Sequence, residues 1–126
     1  MVNDLTATIF DIAKGMYSWS DGRFDISSGT LIDLWDVKHR KRVPSLSEIN
    51  DARKHCNNLN YDIERDDDSD ELNCNKIIFH GDNLTNYDVG ALIKGYCCDT
   101  LKNMANNEDE IDAAIFNLGG NVCCGR

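Results

Sequence analysis

Tyr87-Asp88-Val89-Gly90-Ala91-Leu92-Ile93-Lys94-Gly95-Tyr96 is the stretch on which the reading of this chain turns. A strand-like approach ends on an acid, a Gly-Ala step removes side-chain bulk, and an apolar-periodic run with a lysine near its start follows. That pattern predicts a backbone turning into a helix at Gly90 and continuing to about Asn106, with Ile93, Cys97, Leu101 and Met104 on one face and Leu92 and Tyr96 widening it. A helix start exposes unpaired N–H groups and a partial positive charge, which suit a phosphate. An acid and a base arriving there together make a candidate binding point, but a weak one taken alone.

Downstream of this helix, Glu108 to Glu110 read as an exposed connection. Ala113-Ala114-Ile115-Phe116-Asn117-Leu118 follows as a buried strand, ending in Gly119-Gly120-Asn121, where missing side chains let a ligand or another strand come close. The chain stops at Arg126 just after it, so the expectation is of a strand without its continuation. Upstream, Leu5, Ile9, Ile12 and Met16 recur at helical spacing and predict an amphipathic helix over about 4–18. Asp21-Gly22 is a turn signal. The next segment, Arg23 to Thr30, reads as a buried corner between helices with Asp25 as a capping acid, leading into Leu31, Leu34 and Trp35. Lys38 to Arg42 form a small basic loop. Pro44-Ser45-Leu46-Ser47-Glu48 opens a helix with a capping box, and Ile49, Ala52, Cys56 and Leu59 extend its face.

Tyr61-Asp62-Ile63 and Ile77-Ile78-Phe79 read as two strands of a hairpin. The acidic run between them spaces Asp66, Asp68 and Asp70 like a calcium loop. It puts Glu71 and Ile77 where that loop needs Gly and Glu, so it reads as a solvated loop. Asn83-Leu84-Thr85 matches a glycosylation sequon, which means little without a secretory signal. The order helix, corner, helix, hairpin, helix, strand is that of an α+β chain.

Composition narrows the function classes. One hundred and twenty-six residues are one domain's worth, and 22 acids against 13 bases give a net charge of −9. That excludes a phosphate-backbone binder, which rests on clustered Lys and Arg, so no nucleic-acid partner is expected. No apolar run could span a bilayer and no signal peptide or lipobox is evident, which places the expected location in the cytoplasm. The six cysteines, Cys56, Cys74, Cys97, Cys98, Cys123 and Cys124, have no C-x-x-C or zinc spacing. They read as reduced structural thiols, with a disulfide framework as the minority reading.

Three segments in order carry a resemblance: Arg23-Phe24-Asp25-Ile26 with Gly29; Asp88-Val89-Gly90-Ala91 with Lys94-Gly95-Tyr96 and Asp99; and Asn117-Leu118-Gly119-Gly120-Asn121. Together with Leu31-Ile32-Asp33-Leu34-Trp35 and Arg42-Val43-Pro44-Ser45 between the first two, the pattern closely resembles the FAD:protein FMN transferase, or ApbE-type, family. The resemblance implies an ApbE-like, T-fold-related α+β fold, incomplete here, with residues 1–126 as a single truncated flavin transferase domain. It implies binding of FAD and Mg²⁺, and transfer of FMN to a Thr or Ser hydroxyl of a target flavoprotein with release of AMP.

Residue by residue, the resemblance makes Arg23 (through its main chain), Phe24 and Asp25 an FAD-binding corner. It places Asp88 on the flavin cofactor, the Ala91 carbonyl on Mg²⁺, Lys94 on a phosphate or flavin carbonyl, and Gly119, Gly120 and Asn121 at the cleft. No residue is assigned a chemical step. The family's later segment, with an Asp and a Thr as further metal ligands, has no counterpart, and one carbonyl would hold Mg²⁺ poorly. The alternative is therefore a non-catalytic flavin-binding fragment or interaction module. A thiol-rich metal or redox protein is a weaker third idea.

Overall fold

The computed structural model describes residues 1–39, 42–57, 59–65 and 75–125. The acidic loop from Asp66 to Glu71, Cys74, and Arg40 and Lys41 of the basic loop lie outside them. The elements are α1 (Asp4–Trp19), a 3-10 turn (Ile26–Ser28), α2 (Gly29–Trp35), α3 (Leu46–Arg53), β1 (Tyr61–Glu64), β2 (Lys76–Phe79), α4 (Gly90–Asn106), β3 (Ala114–Leu118) and β4 (Asn121–Gly125). They form two compact units, Met1–Val89 and Gly90–Arg126. Each holds one antiparallel two-stranded sheet, β1-β2 in the first and β3-β4 in the second, so the α+β class holds.

In the first unit, α1 is capped by Asn3, whose side chain accepts from the Thr6 N–H at 2.8 Å. Its buried residues are Ala7, Ile9, Phe10 and Ala13, while Leu5 is exposed. The inward face is thus rotated from the expected stripe, because Phe10 turns into a ring cluster. Phe10, Tyr61, Phe79 and Tyr87 are all in mutual ring contact, with centroids 4.7 to 6.1 Å apart. Offset and edge-on ring pairs add stabilisation beyond area burial. The Tyr61 hydroxyl is kept paired by donating to the Phe10 carbonyl at 2.7 Å. Burial of that phenol pushes its pKa up, with smaller pushes from Tyr87 and Asp11.

The two expected strands pair as a hairpin, and the β1-β2 register sets Tyr61 opposite Phe79 and Ile63 opposite Ile77. The capping box at Ser45 and Glu48 is present, but α3 ends at Arg53. Cys56 and Leu59 do not extend the helix. Lys54 caps it and Asn57 sits at φ +57°, a left-handed position that no helix continues through.

In the second unit, α4 has the length expected from sequence, but its buried face is Cys98 with Ala105, and Ile93 and Met104 are exposed. The helix packs on β3 and β4. The expected lone strand is a hairpin: Gly119 and Gly120, at φ +61° and +99°, form the turn and Asn121–Gly125 returns as β4. Two consecutive positive φ values are the demand of a type I′ turn, whose twist matches that of the strands. The Asn117 side chain accepts from the Gly120 N–H at 3.0 Å and closes it.

Candidate functional site

The Asp25 corner is a lock. One carboxylate oxygen accepts from the Ser27 N–H at 2.8 Å and the Ser27 hydroxyl at 2.7 Å, capping the 3-10 turn. The other accepts from the Asn57 N–H at 2.8 Å. Ser28 donates its hydroxyl to the Asp25 carbonyl at 2.7 Å. The capping role read from sequence is therefore present, and the link to Asn57, 32 residues away, was not legible there.

This corner grips the segment leading to Asp88. The Gly29 N–H donates to the Asn86 carbonyl at 3.0 Å, and the Asp88 N–H donates to the Ile26 carbonyl at 2.8 Å. Thr30 donates its hydroxyl to the Leu84 carbonyl at 3.0 Å and accepts from the Asn86 N–H at 3.2 Å. The Asn86 side chain reaches the Asp33 carboxylate. Backbone pairing thus brings Phe24-Asp25-Ile26 and Asp88 together, although more than sixty residues separate them. The negative charge on Asp25 reaches Tyr87, whose phenol is pushed up first by burial and next by that carboxylate. Thr30, Asn57 and Asn86 are the positioning residues that sequence reasoning missed; Asn86, two residues before Asp88, offered only a polar side chain beside a motif.

Phe24 is half-buried and its N–H is held by the Ser20 hydroxyl at 2.8 Å. Arg23 is exposed, donating to the Ser20 carbonyl at 3.2 Å beside Asp21. Its guanidinium points back along its own turn, and its main-chain N–H is given to the same Ser20 carbonyl at 3.2 Å.

In the second unit, Ala91 and Lys94 lie in the first two turns of α4, both exposed. The Lys94 ammonium lies beside the β3–β4 turn, 3.7 Å from where a methyl on Gly119 would stand. The absence of a side chain at Gly119 therefore leaves room against that cation. Asn121, opposite Leu118 at the start of β4, is exposed at the same turn. Lys94, Gly119, Gly120 and Asn121 form one cluster, and Phe24, Asp25 and Asp88 form another in the first unit.

The six-oxygen shell of Mg²⁺ draws on carboxylates as well as carbonyls. Among the described residues no group of three or more His, Cys, Asp or Glu could hold a metal ion. The Ala91 carbonyl lies inside α4 and points along the helix axis into the next turn, as α-geometry requires. The donor set among the described residues does not fit the ion.

The ApbE family model matches residues 1–126, the whole chain, and the chain belongs to the ApbE family. Membership supports a flavin-transferase type of function in general, in a family that uses FAD and Mg²⁺ and acts on flavoprotein targets. No curated protein and no solved structure gives a match. No described helix is long and apolar enough to cross a membrane.

Proposed function

We propose that this chain serves as an FAD:protein FMN transferase domain, with FAD as the donor substrate and a Thr or Ser hydroxyl of a flavoprotein as acceptor. The acceptor oxygen bonds to the FMN phosphorus, the bond from that phosphorus to the AMP phosphate breaks, and the products are protein-bound FMN, AMP and a proton. The observation that carries the reading is the backbone lock of Asp25-Gly29 onto Asn86-Asp88, which joins two of the three family motifs in one place.

On this reading Asp88 and the corner of Phe24 and Asp25, with the Arg23 main chain, bind and orient the flavin portion. The Lys94 ammonium, on the positive end of α4, offsets charge on a phosphate or polarises a flavin carbonyl. Gly119, Gly120 and Asn121 shape the rim next to Lys94. Positioning and charge offset supply most of the rate in phosphoryl transfer, so residues without an acid–base role can still matter.

The test is incubation with FAD, Mg²⁺ and a candidate acceptor flavoprotein, followed by in-gel fluorescence for covalent flavin and by titration of flavin fluorescence. FAD binding that strengthens with Mg²⁺, with labelled acceptor, supports the transferase. Failure to bind FAD at any Mg²⁺ concentration overturns it. The donor set favours a second reading, a flavin-binding module without catalysis. Binding indifferent to Mg²⁺, with no label transferred, selects that reading.

A further inference from the structure

Four of the cysteines fall on two packed elements, Cys97 and Cys98 on α4, Cys123 and Cys124 on β4, and the described thiols are free. They are not equivalent. Cys98 is buried, and adjacent helix positions are rotated by about 100°, so Cys97 faces elsewhere. Cys123 is half-buried and points toward α4, while Cys124, next along the strand, is exposed on the opposite face. The Cys123 thiol donates to the Cys98 carbonyl oxygen at 3.4 Å, so the strand thiol sits against the backbone of the residue that carries the buried helix thiol. Of the four helix–strand pairings, Cys98 with Cys123 is joined by a direct contact between the two residues, and both sit on regular elements packed together.

We propose that Cys98 and Cys123 are a redox pair, which a small-molecule disulfide of the glutathione type closes into an intramolecular bond stapling α4 to β4. The half-buried Cys123 thiolate attacks one sulfur of the oxidant, giving a mixed disulfide and releasing one small thiol. The Cys98 thiolate then attacks the Cys123 sulfur, forming the Cys98–Cys123 bond and releasing the second. Two protein thiols are oxidised, one small disulfide is reduced to two thiols, and the two protons go to the departing sulfurs.

The chemistry also sets the tempo. Desolvation, then the Cys98 thiol, then the nearby Cys98, Cys124 and Asp99 charges push the Cys123 pKa up to about 11. Little thiolate exists near neutral pH, so the reduced pair is stable to brief exposure and closes slowly. Once closed, the bond ties the helix carrying Lys94 to the hairpin carrying Gly119. It thereby restricts opening of the same unit.

The test uses the full chain, reduced, desalted and incubated in its native state with oxidised glutathione. Free thiols are then blocked and the peptides are mapped by tandem mass spectrometry. The expected product is one cross-link between Cys98 and Cys123, reversed by dithiothreitol, formed about tenfold faster per pH unit between roughly pH 7 and pH 9. Amide exchange in α4 and β4 should slow by about tenfold or more in the oxidised chain. Cys97→Ser and Cys124→Ser should retain the cross-link, and Cys123→Ser and Cys98→Ala should lose it. A cross-link through Cys97 or Cys124 overturns the proposal. So does a glutathione adduct that persists on Cys123, or cross-linking seen only in urea. Should Cys98→Ala not fold, the map of the unmutated chain decides alone.

Discussion

A methyl group placed on Gly29 would stand 2.5 Å from the carbonyl oxygen of Asn86 and 2.8 Å from its carbon. The same Gly29 gives its N–H to that oxygen at 3.0 Å. The two backbones are as close as a hydrogen bond allows, and no side chain fits between them. This explains the glycine of the Phe-Asp-x-x-x-Gly corner without reference to backbone freedom, since Gly29 has ordinary helical φ and ψ. Gly29→Ala should therefore destabilise the first unit by about 1–3 kcal/mol, the typical range of overpacking, and toward its upper end because the atoms met are backbone. Urea denaturation would show the midpoint falling, and a midpoint unchanged from the parent would refute the close contact.

Asp25 is expected to matter for folding before it matters for flavin. Asp25→Ala removes the cap on Ser27 and leaves the Asn57 N–H without its acceptor, a loss of about 1–3 kcal/mol. Asp25→Asn should recover only part, because its amide oxygen can serve one of the two donors while its NH₂ confronts the other. Thermal melts of both variants beside the parent check the order parent, Asn, Ala. Equal melting of all three would dissolve the lock.

How much of this was legible in the sequence depends on where the determining contact lies. The capping box at Ser45 and Glu48, the hairpin strands around Ile63 and Ile77, and the start of α4 at Gly90 are set by residues a few positions apart, and all were readable. The grip of Gly29 on Asn86 and of Asp25 on Asn57 joins distant positions through backbone atoms, which leave no trace in side-chain pattern. β4 was readable and went unread. Gly-Gly between two runs is a hairpin signal, but Asn121-Val122-Cys123-Cys124 lacks the clear alternation that marks a return strand. The α4 face was missed because Cys98 and Ala105 are small, and Ile93 and Met104 outweigh them in any periodicity count.

Acid should loosen the first unit. The Glu48 carboxyl is held well below its ordinary value of 4.5, first by the Arg42 guanidinium and then by the Ser45 N–H and hydroxyl. Asp82 is also lowered, first by the Leu84 N–H and then by His55. A carboxyl whose folded pKa is depressed adds stability that is whole above the unfolded value, and that stability is lost as pH falls below it toward the folded one. Stability should thus decline on acidification below about pH 5, and Glu48→Gln and Asp82→Asn should each flatten that decline. Both groups face solvent, so the slopes will be small and should shrink further in high salt. Denaturation midpoints measured from pH 6 to pH 3 provide the check; a slope as steep in the double variant as in the parent would assign the acid sensitivity elsewhere.

The hairpin turn offers a graded test. Gly120 sits at φ +99° and Gly119 at +61°. The second value is a left-handed position that asparagine tolerates, whereas the first is costly for any side chain. Gly120→Ala should cost about 1–2 kcal/mol and Gly119→Asn only a few tenths, since Asn-Gly is the preferred pair in this turn. Amide exchange of β3 and β4 would report both, and equal effects would argue against a type I′ turn.

Lys94 separates structure from function most cleanly. It is exposed, and its ammonium rests beside Gly119 with open space around the turn. Truncation there should leave folding stability within about 0.5 kcal/mol, the usual range for surface sites away from caps and cores. If the proposed flavin site is right, the same change removes a cation from a phosphate or a flavin carbonyl, a charge-assisted contact of about 1.5–3 kcal/mol. Lys94→Ala should then weaken FAD binding by roughly ten- to a hundredfold. Lys94→Arg, which keeps the charge, should lose less. Titration of flavin fluorescence, with a thermal melt of the same samples, reads both quantities at once. Weak binding with an unchanged melt places Lys94 on the ligand; an unchanged affinity means that the lysine over the glycine turn is only a solvated side chain.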